Sequence, residues 1–137
     1  MLDTPIVTDA EDRPLRPALL RGWRGRCPQC GGGAIYESYL KVNDHCGICG
    51  EAFHHHRADD APSWLTIIVI GHLIAPLMLA SFELFTLPTW AHAVIWPAIS
   101  LTAAVILLPR VKGGIIAFQW SQRMHGFDDR HIDTSRP

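Results

Sequence analysis

Two long apolar segments dominate the second half of the chain. The first segment, SWLTIIVIGHLIAPLMLASFELF, covers residues 63–85 and contains two ionisable side chains, His72 and Glu83. The second segment, WAHAVIWPAISLTAAVILL, covers residues 90–108. A helix rises about 1.5 Å per residue, so about 20 apolar residues cross a hydrocarbon core that is about 30 Å thick. Each segment therefore predicts a transmembrane helix, and the short TLPT turn between them predicts a hairpin over residues 63–108.

The chain before this hairpin is mostly polar and divides into two parts. Residues 1–17 are rich in Pro, Asp and Arg without an apolar period, and they predict a disordered tail. Residues 18–62 form an arginine-rich entry followed by a cysteine-containing module. Within this part, residues 18–25, ALLRGWRG, fit either a short amphipathic turn at the membrane surface or a plain linker. The alternation in AIYESYLKV, residues 34–42, predicts a strand or the arm of a hairpin.

The residues after the second span indicate a further amphipathic segment. PRVKGG, residues 109–114, predicts a break in the helix because it combines proline with glycine. A helix beyond this break would place four mainly apolar side chains on one face: Ile116, Ala117, Trp120 and Met124. We therefore expect an interfacial helix over residues 109–127 and a tail over residues 128–137.

The distribution of charged residues predicts the orientation of the chain in a membrane. The formal net charge of -1 at pH 7 argues against a generally basic nucleic-acid-binding protein. Lys and Arg are absent from residues 86–89 and frequent at the opposite ends of both spans, which predicts cytoplasmic termini and a cytoplasmic cysteine module. Six basic residues are predicted to lie at the membrane surface, in contact with lipid: Arg21, Arg24, Arg26, Arg57, Arg110 and Lys112.

The strongest chemical signal is a set of two Cys-x-x-Cys pairs separated by fifteen residues: Cys27 with Cys30, and Cys46 with Cys49. This spacing is typical of a four-cysteine zinc site, in which four thiolates complete a tetrahedral shell and leave no position open for a substrate. Gly31 and Gly50 follow the two pairs and suit the tight turns of a zinc ribbon. Metal binding would supply much of the folding free energy of so small a module. Iron in the same geometry is the less favoured alternative.

A dense run of histidines and carboxylates precedes the first span: His54, His55, His56, Asp59 and Asp60. Imidazole and carboxylate ligands suit copper or iron, so these residues are candidates for a second metal site. The favoured interpretation is a solvated linker, in which Asp60 is the N-cap of the first span and Pro62 lies in its first turn. This interpretation does not account for the histidines themselves.

His72 lies about 12 Å into the first span, counted from Trp64, where an ionisable group is costly and usually faces protein. Small residues four apart would let the two helices of the hairpin approach closely: Gly71 and Ala75 on the first, Ser100 and Ala104 on the second. We therefore predict that neutral His72 forms a hydrogen bond to Ser100 or to a backbone carbonyl across the hairpin. The alternative is that His72 ligates haem or a metal, or relays protons.

Three strings in this order carry a family resemblance: RGRCPQCGGGAIYESYLKVNDHCGICG, HHRADDAPSWLTIIVIGHLIAP and LPRVKGGIIAFQWSQRMHGF. With these strings the chain resembles the bacterial membrane family called domain of unknown function 983, over about residues 20–127. The resemblance implies a short cytoplasmic zinc-ribbon-like module, two transmembrane helices and no established activity. It also implies an association with haem–copper oxidases, because family members are often encoded among oxidase subunits and their assembly factors.

These features predict a membrane α protein of the bacterial inner membrane, with a zinc ribbon before a two-helix hairpin and an interfacial helix after it. The favoured function is a non-catalytic accessory subunit or assembly factor of a respiratory membrane complex, with a haem–copper oxidase as partner. The alternative is a copper- or haem-handling protein that uses residues 54–56 and His72. Nucleic acid is a disfavoured partner because acidic residues are mixed with the arginines. An enzyme is disfavoured because no catalytic triad or phosphate-binding loop is present in the sequence.

Overall fold

The computed structural model describes residues 13–54, 60–124 and 127. These residues form three helices: α1 (Leu15–Trp23), α2 (Ala61–Leu84) and α3 (Thr89–Ser121). The cysteine-containing module lies between α1 and α2, and its described residues form isolated antiparallel bridges but no strand. In the segment predicted as a strand or hairpin arm, Tyr36 pairs with Val42 in one such bridge. The helical architecture with two long apolar helices confirms the predicted fold class.

Helix α1 begins at Leu15, inside the segment that the sequence predicts to be a disordered tail. That prediction is wrong for residues 15–17, while residues 1–12 lie outside the described residues. Pro17 falls in the first turn of α1, where its missing N–H removes no helical hydrogen bond. Two residues one turn apart are buried: Ala18 and Gly22. So short a helix is marginal alone, and packing of this face against the rest of the protein stabilises it.

Helices α2 and α3 are each long and apolar enough to span a membrane. At about 1.5 Å per residue, their 24 and 33 residues extend about 36 Å and about 50 Å, against a hydrocarbon core of about 30 Å. Only 6% and 11% of their most apolar windows are buried inside the protein, so these helices are not the covered core of a soluble domain. Helix α3 is long enough to continue well beyond the hydrocarbon core of a bilayer.

Helix α3 continues through the segment that the sequence predicts to break it. The expected break at residues 109–114 and the separate interfacial helix are wrong, because α3 is one helix up to Ser121. Pro109 has no N–H and leaves the carbonyl of Val105 without its helical donor. The hydroxyl of Tyr39, from the cysteine module, donates a hydrogen bond to that carbonyl. A side chain thus replaces the lost backbone hydrogen bond and compensates for the proline.

The last turns of α3 pack against protein. A single cluster of buried residues combines α1, the cysteine module and the end of α3: Ala18, Cys27, Ile35, Cys46, Phe53, Ile116, Ala117, Trp120 and Phe127. Three residues of the predicted interfacial face belong to this cluster, whereas Met124 is 39% exposed. The sequence therefore identifies the apolar face but not its partner, which is the module instead of lipid. The module in turn has an apolar core in addition to its cysteines.

Helix α1 crosses α3 at a point where two glycines meet. A Cβ atom on Gly22 would overlap the carbonyl oxygen of Gly113 and lie 2.5 Å from the Cβ atom of Ala117. A Cβ atom on Gly113 would likewise overlap the carbonyl oxygen of Gly22. The two backbones come this close because neither residue has a side chain. This crossing attaches α1, and the module that follows it, to the end of α3.

The two apolar helices contact each other through bulky side chains. Phe82 of α2 stacks on His92 of α3 with 4.1 Å between ring centroids. The indole N–H of Trp96 donates a hydrogen bond of 3.2 Å to the hydroxyl of Ser81. These contacts turn Phe82 and Ser81 toward α3, and they hold the helices together near the end of the hairpin.

The predicted packing of small residues across the hairpin is therefore wrong for α2. Gly71 and Ala75 are exposed, and apart from neighbouring backbone in its own helix a Cβ atom built on Gly71 meets no described atom within 4 Å. Ser100 and Ala104 on α3 are half-buried. His72 is exposed, and its Nδ1 lies 2.8 Å from the carbonyl oxygen of Ile68 in its own helix, so the predicted hydrogen bond across the hairpin is wrong. The face of α2 that packs on α3 includes Ser81 and Phe82, and it leaves Gly71 and Ala75 exposed.

Candidate metal centre

The first Cys-x-x-Cys pair lies in a tight loop closed by backbone hydrogen bonds. The amide of Gly31 donates to the carbonyl of Cys27 at 2.9 Å, and the amide of Cys27 donates to the carbonyl of Gly33 at 2.8 Å. Gly31 has a φ of 70°, a left-handed conformation that a residue with a side chain rarely adopts. The glycine after the pair thus permits the chain reversal that the sequence predicts.

The second pair repeats this loop. The amide of Gly50 donates to the carbonyl of Cys46 at 3.1 Å, and the amide of Cys46 donates to the carbonyl of Glu51 at 2.8 Å. Gly50 has a φ of 76°. An antiparallel bridge flanks each loop, Arg26 with Ala34 and His45 with Ala52. The two loops are therefore structural copies, with one more residue in the first.

The two loops bring all four sulfur atoms together: those of Cys27, Cys30, Cys46 and Cys49. All four Sγ atoms lie within 4.8 Å of one another, and two pairs taken from opposite loops are 3.6 Å and 3.7 Å apart. A tetrahedral zinc ion with Zn–S bonds of about 2.3 Å would require S···S separations of about 3.8 Å. The cysteines are thus positioned to bind a metal ion, with a geometry compatible with zinc.

Backbone amides and burial have opposite effects on the pKa values of these thiols. N–H groups of Gly33 and Gly32 donate to the sulfur of Cys30, and this lowers the pKa of the exposed Cys30 thiol to about 6. Burial raises the pKa of Cys27, which is fully enclosed. Burial also raises the pKa of Cys49. A cation bound by all four sulfurs would offset the cost of ionising the enclosed thiols.

Sequence reasoning missed Gly33, which makes room for the site. A Cβ atom on Gly33 would overlap the sulfur of Cys46 and lie 3.8 Å from the Cβ atom of Cys27. The third glycine of the GGG run is therefore required by space, whereas Gly31 is required by its conformation. The run of three glycines directly after a Cys-x-x-Cys pair is the signal that points to this close approach.

Three of the basic residues predicted to lie at the membrane surface donate hydrogen bonds to the module. Arg21 donates from Nη1 to the carbonyls of Pro28 and Gln29, at 3.0 Å and 2.9 Å, and so attaches the first cysteine loop to α1. Arg26 donates to a carbonyl in the same loop at 3.4 Å, and Lys112 donates to the carbonyl of Leu40 at 2.8 Å. These donors satisfy backbone carbonyls of the module, and the contact of these three side chains with lipid stays a prediction. Arg24, Arg26 and Arg110 are exposed, and Arg57 lies outside the described residues.

The histidines and carboxylates before α2 add no second centre within the described residues. His54 lies beside His45, with 5.5 Å between ring centroids. Asp60 occupies the predicted N-cap position, but its side chain makes no capping hydrogen bond. Within the described part of the chain, the four cysteines are the single group of three or more potential ligands close enough to hold a metal. Three members of the predicted cluster lie outside the described residues: His55, His56 and Asp59.

The fold and the cysteine site together define a class of protein. Two helices that are long and apolar enough to span a membrane follow a module whose cysteines are positioned to bind a metal ion. A family model described as "Protein of unknown function (DUF983)" matches residues 36–120, and the chain belongs to this family, as the resemblance predicts. The match includes the second cysteine pair and begins after the first. No curated protein and no solved structure matches the chain.

Proposed function

We propose that the chain is a non-catalytic protein of the bacterial inner membrane in which a structural zinc ion stabilises a cytoplasmic module. In this proposal both termini lie in the cytoplasm. The protein acts as an accessory subunit or assembly factor of a respiratory membrane complex, with a haem–copper oxidase as its partner. The association with oxidase genes that the family resemblance implies supports this choice of partner.

The observation that carries the proposal is the continuity between the cysteine module and α3. The module's buried cluster includes Ile116, Ala117 and Trp120 from the end of α3, and the hydroxyl of Tyr36 donates at 2.6 Å to the carbonyl of Pro109. Helix α3 is unbroken from its apolar part into this cluster. A metal that stabilises the module therefore also holds the end of a candidate span, which suits a scaffold for docking.

Zinc is the ion that this ligand set favours. Four thiolates with tetrahedral separations close the coordination shell, so no position is left for a substrate or an activated water. Reducing conditions in the cytoplasm would keep these four free cysteines as thiols, available to a metal. A closed shell of this kind supports a structural role and argues against catalysis at this centre.

The apolar surface of the hairpin supports a role within the membrane. Large apolar side chains along α2 and α3 are exposed, for example Ile67, Leu73 and Leu101 at 70%, 60% and 68%. Lipid or another membrane protein would remove this surface from water.

The test is purification of the full chain in mild detergent at its native expression level, with metal analysis and identification of co-purifying proteins in the same sample. We expect one zinc per chain together with oxidase subunits. Cys46→Ser should lose the zinc and the partner, whereas Ser38→Ala, at an exposed position between the cysteine pairs, should retain both. A chain that holds zinc but co-purifies with no respiratory subunit would contradict the choice of partner alone.

One observation favours the alternative of copper or haem handling. The imidazole of His72 is exposed on α2, and it lines an open groove beside Gly71 and Ala75. An imidazole at this position is accessible to a ligand on a neighbouring protein or to a haem iron. The alternative predicts copper or haem above background in the purified chain, lost in His72→Ala and retained in a substitution at the exposed Leu73.

A further inference from the structure

An amphipathic groove lies where α3 leaves its apolar part. Counted from Thr89, about 20 residues cross a hydrocarbon core, so the level of the lipid headgroups begins near Pro109. The groove has a volume of about 670 Å³ and lies between the start of the cysteine module and this part of α3. Its volume falls within the range of about 300–1,000 Å³ that is usual for small-molecule sites.

The groove combines uncompensated positive charge with an apolar wall. Arg24 and Arg110 both line it, and so do the apolar side chains of Val105 and Ile106 and the indole of Trp23. No acidic side chain is among the lining residues in the described part of the chain. Two guanidinium groups without a carboxylate partner suit a phosphate, which accepts paired hydrogen bonds from the planar fork of arginine.

We propose that this groove binds an anionic glycerophospholipid, with its phosphate at Arg24 and Arg110 and its acyl chains along Val105 and Ile106. The inference rests on the proposed insertion of α2 and α3 into a membrane. It does not depend on the identity of the metal or on the respiratory partner.

The other basic residues near the module distinguish the groove from a general positive surface. Arg21, Arg26 and Lys112 each donate from one nitrogen to backbone carbonyls of the module, and none of them lines the groove. The Arg24 side chain makes no hydrogen bond or ion pair with the described residues. Arg110 donates from Nη1 to the carbonyl of Ile106 at 2.8 Å, and the rest of its five donors remain for a ligand. Two exposed guanidinium groups therefore lie beside an apolar wall in this groove, whereas the exposed Arg16 and Arg26 are not among its lining residues.

The groove is also held in shape before a lipid arrives. Tyr39 donates to the carbonyl of Val105, and Tyr36 donates to the carbonyl of Pro109, so two side chains of the module fasten its two walls together. Both tyrosines line the groove. A site whose walls are already fixed loses less conformational entropy on binding.

The experiment is native mass spectrometry of the metal-loaded full chain in detergent, titrated with phosphatidylglycerol or with phosphatidylcholine of the same acyl chains. We expect preferential retention of phosphatidylglycerol. Each arginine near a membrane surface contributes about fivefold to the binding of an anionic lipid, so the double variant Arg24→Gln/Arg110→Gln should weaken it about 30-fold. Arg16→Gln removes one positive charge, as each half of the double variant does, from an exposed position on α1 outside the groove, and it should change the affinity by less than about fivefold.

Several outcomes would contradict the proposed lipid site. Equal retention of the two lipids by the unmodified chain would contradict the proposal without any variant. Equal loss of affinity for phosphatidylglycerol in the double variant and in Arg16→Gln would also contradict it. Displacement of phosphatidylglycerol by millimolar inorganic phosphate would identify a site for soluble phosphate instead. Metal content and helicity of each variant verify folding. A chain that fails to partition into membranes would instead contradict the proposed insertion, so the two failures are distinguishable.

Discussion

A single methyl group at Gly113 should separate the cysteine module from α3. In Gly113→Ala, the added Cβ atom would overlap the carbonyl oxygen of Gly22 and lie 3.3 Å from the hydroxyl of Tyr36. The first of these obstacles is backbone in a packed helix, so it cannot rotate away as a flexible side chain would. The helices must move apart, and overpacking of this kind typically costs about 1–3 kcal/mol.

The neighbouring Gly114 provides a matched control. Apart from neighbouring backbone in its own helix, a Cβ atom on Gly114 meets no described atom within 4 Å, although the residue directly follows Gly113 in α3. Both substitutions gain about 1 kcal/mol of helix propensity, because alanine replaces glycine inside a helix. This gain cancels in the comparison. We therefore expect Gly113→Ala to be less stable than Gly114→Ala by about 1–3 kcal/mol, toward the upper end because the obstacle is backbone.

The assay is unfolding of the metal-loaded chain in mixed detergent micelles, followed by the fluorescence of tryptophan and by metal release to a chelator. Trp120 is 5% exposed in the shared core, so separation of the module from α3 should change its emission. Gly113→Ala should unfold at lower denaturant and release its metal faster than Gly114→Ala. Equal stability of the two variants would refute the close backbone crossing, and with it the attachment of α1 to α3 through glycine.

Three further predictions concern the metal centre and the proline in α3. Gly33→Ala should weaken metal retention strongly, because its methyl group would overlap a ligand sulfur. Tyr39→Phe should destabilise the chain by about 1 kcal/mol, and this loss should vanish in a Pro109→Ala background, where an N–H again reaches the carbonyl of Val105. In metal-stripped protein at pH 7, Cys30 should be alkylated first, with a rate that falls as the pH drops through its lowered pKa of about 6.

These predictions have their own controls. Gly32→Ala is the comparison for the metal centre, because its Cβ atom would meet only the end of the flexible Ile48 side chain, at 3.0 Å. The double-mutant cycle tests whether Tyr39 replaces the N–H donor that Pro109 lacks. An unchanged loss of stability for Tyr39→Phe in the Pro109→Ala background would contradict this replacement. For alkylation, Cys27 is the internal reference, since burial raises its pKa and encloses its sulfur. Faster labelling of Cys27 than of Cys30 would contradict the described geometry.

Cys30 and Cys27 contribute to the pH dependence of folding stability with opposite signs. The Cys30 pKa is lowered from 9.0 to about 6 on folding of the metal-free chain, so its contribution to stability is present above pH 9 and is lost as the pH falls toward 6. Cys27 acts in the opposite sense, because burial raises its pKa and its neutral form is favoured in the folded state. Alkylation rates at individual cysteines separate these effects, whereas overall stability combines them.

The local features of the chain could be read from the order of its residues. Apolar runs of about twenty residues indicate α2 and the apolar part of α3, because a bilayer sets a minimum length for a helix that crosses it. Spacing alone predicts that the four cysteines gather, since each Cys-x-x-Cys loop is local and is followed by a glycine that allows reversal. The N-cap position of Asp60 was equally local, although its side chain forms no cap.

Contacts between distant residues could not be read in the same way. The break expected at Pro109 is absent because Tyr39, seventy residues earlier in the chain, supplies a donor to the carbonyl that the proline leaves free. Gly71 and Ala75 have the spacing of a helix-packing motif, but the stack of Phe82 on His92 turns a different face of α2 toward α3. In each case a partner far away in sequence decides the outcome.

The sequence by itself determined the candidate spans, the candidate metal ligands and the family, because periodicity, length and cysteine spacing are properties of short segments. Only the tertiary structure decided what the end of α3 contacts, which basic residues donate hydrogen bonds to the module and how α1 docks. Those features depend on close approaches between parts of the chain that are many residues apart, such as Gly22 with Gly113. A glycine in the sequence indicates that another backbone segment can approach closely, and the fold determines which segment does so.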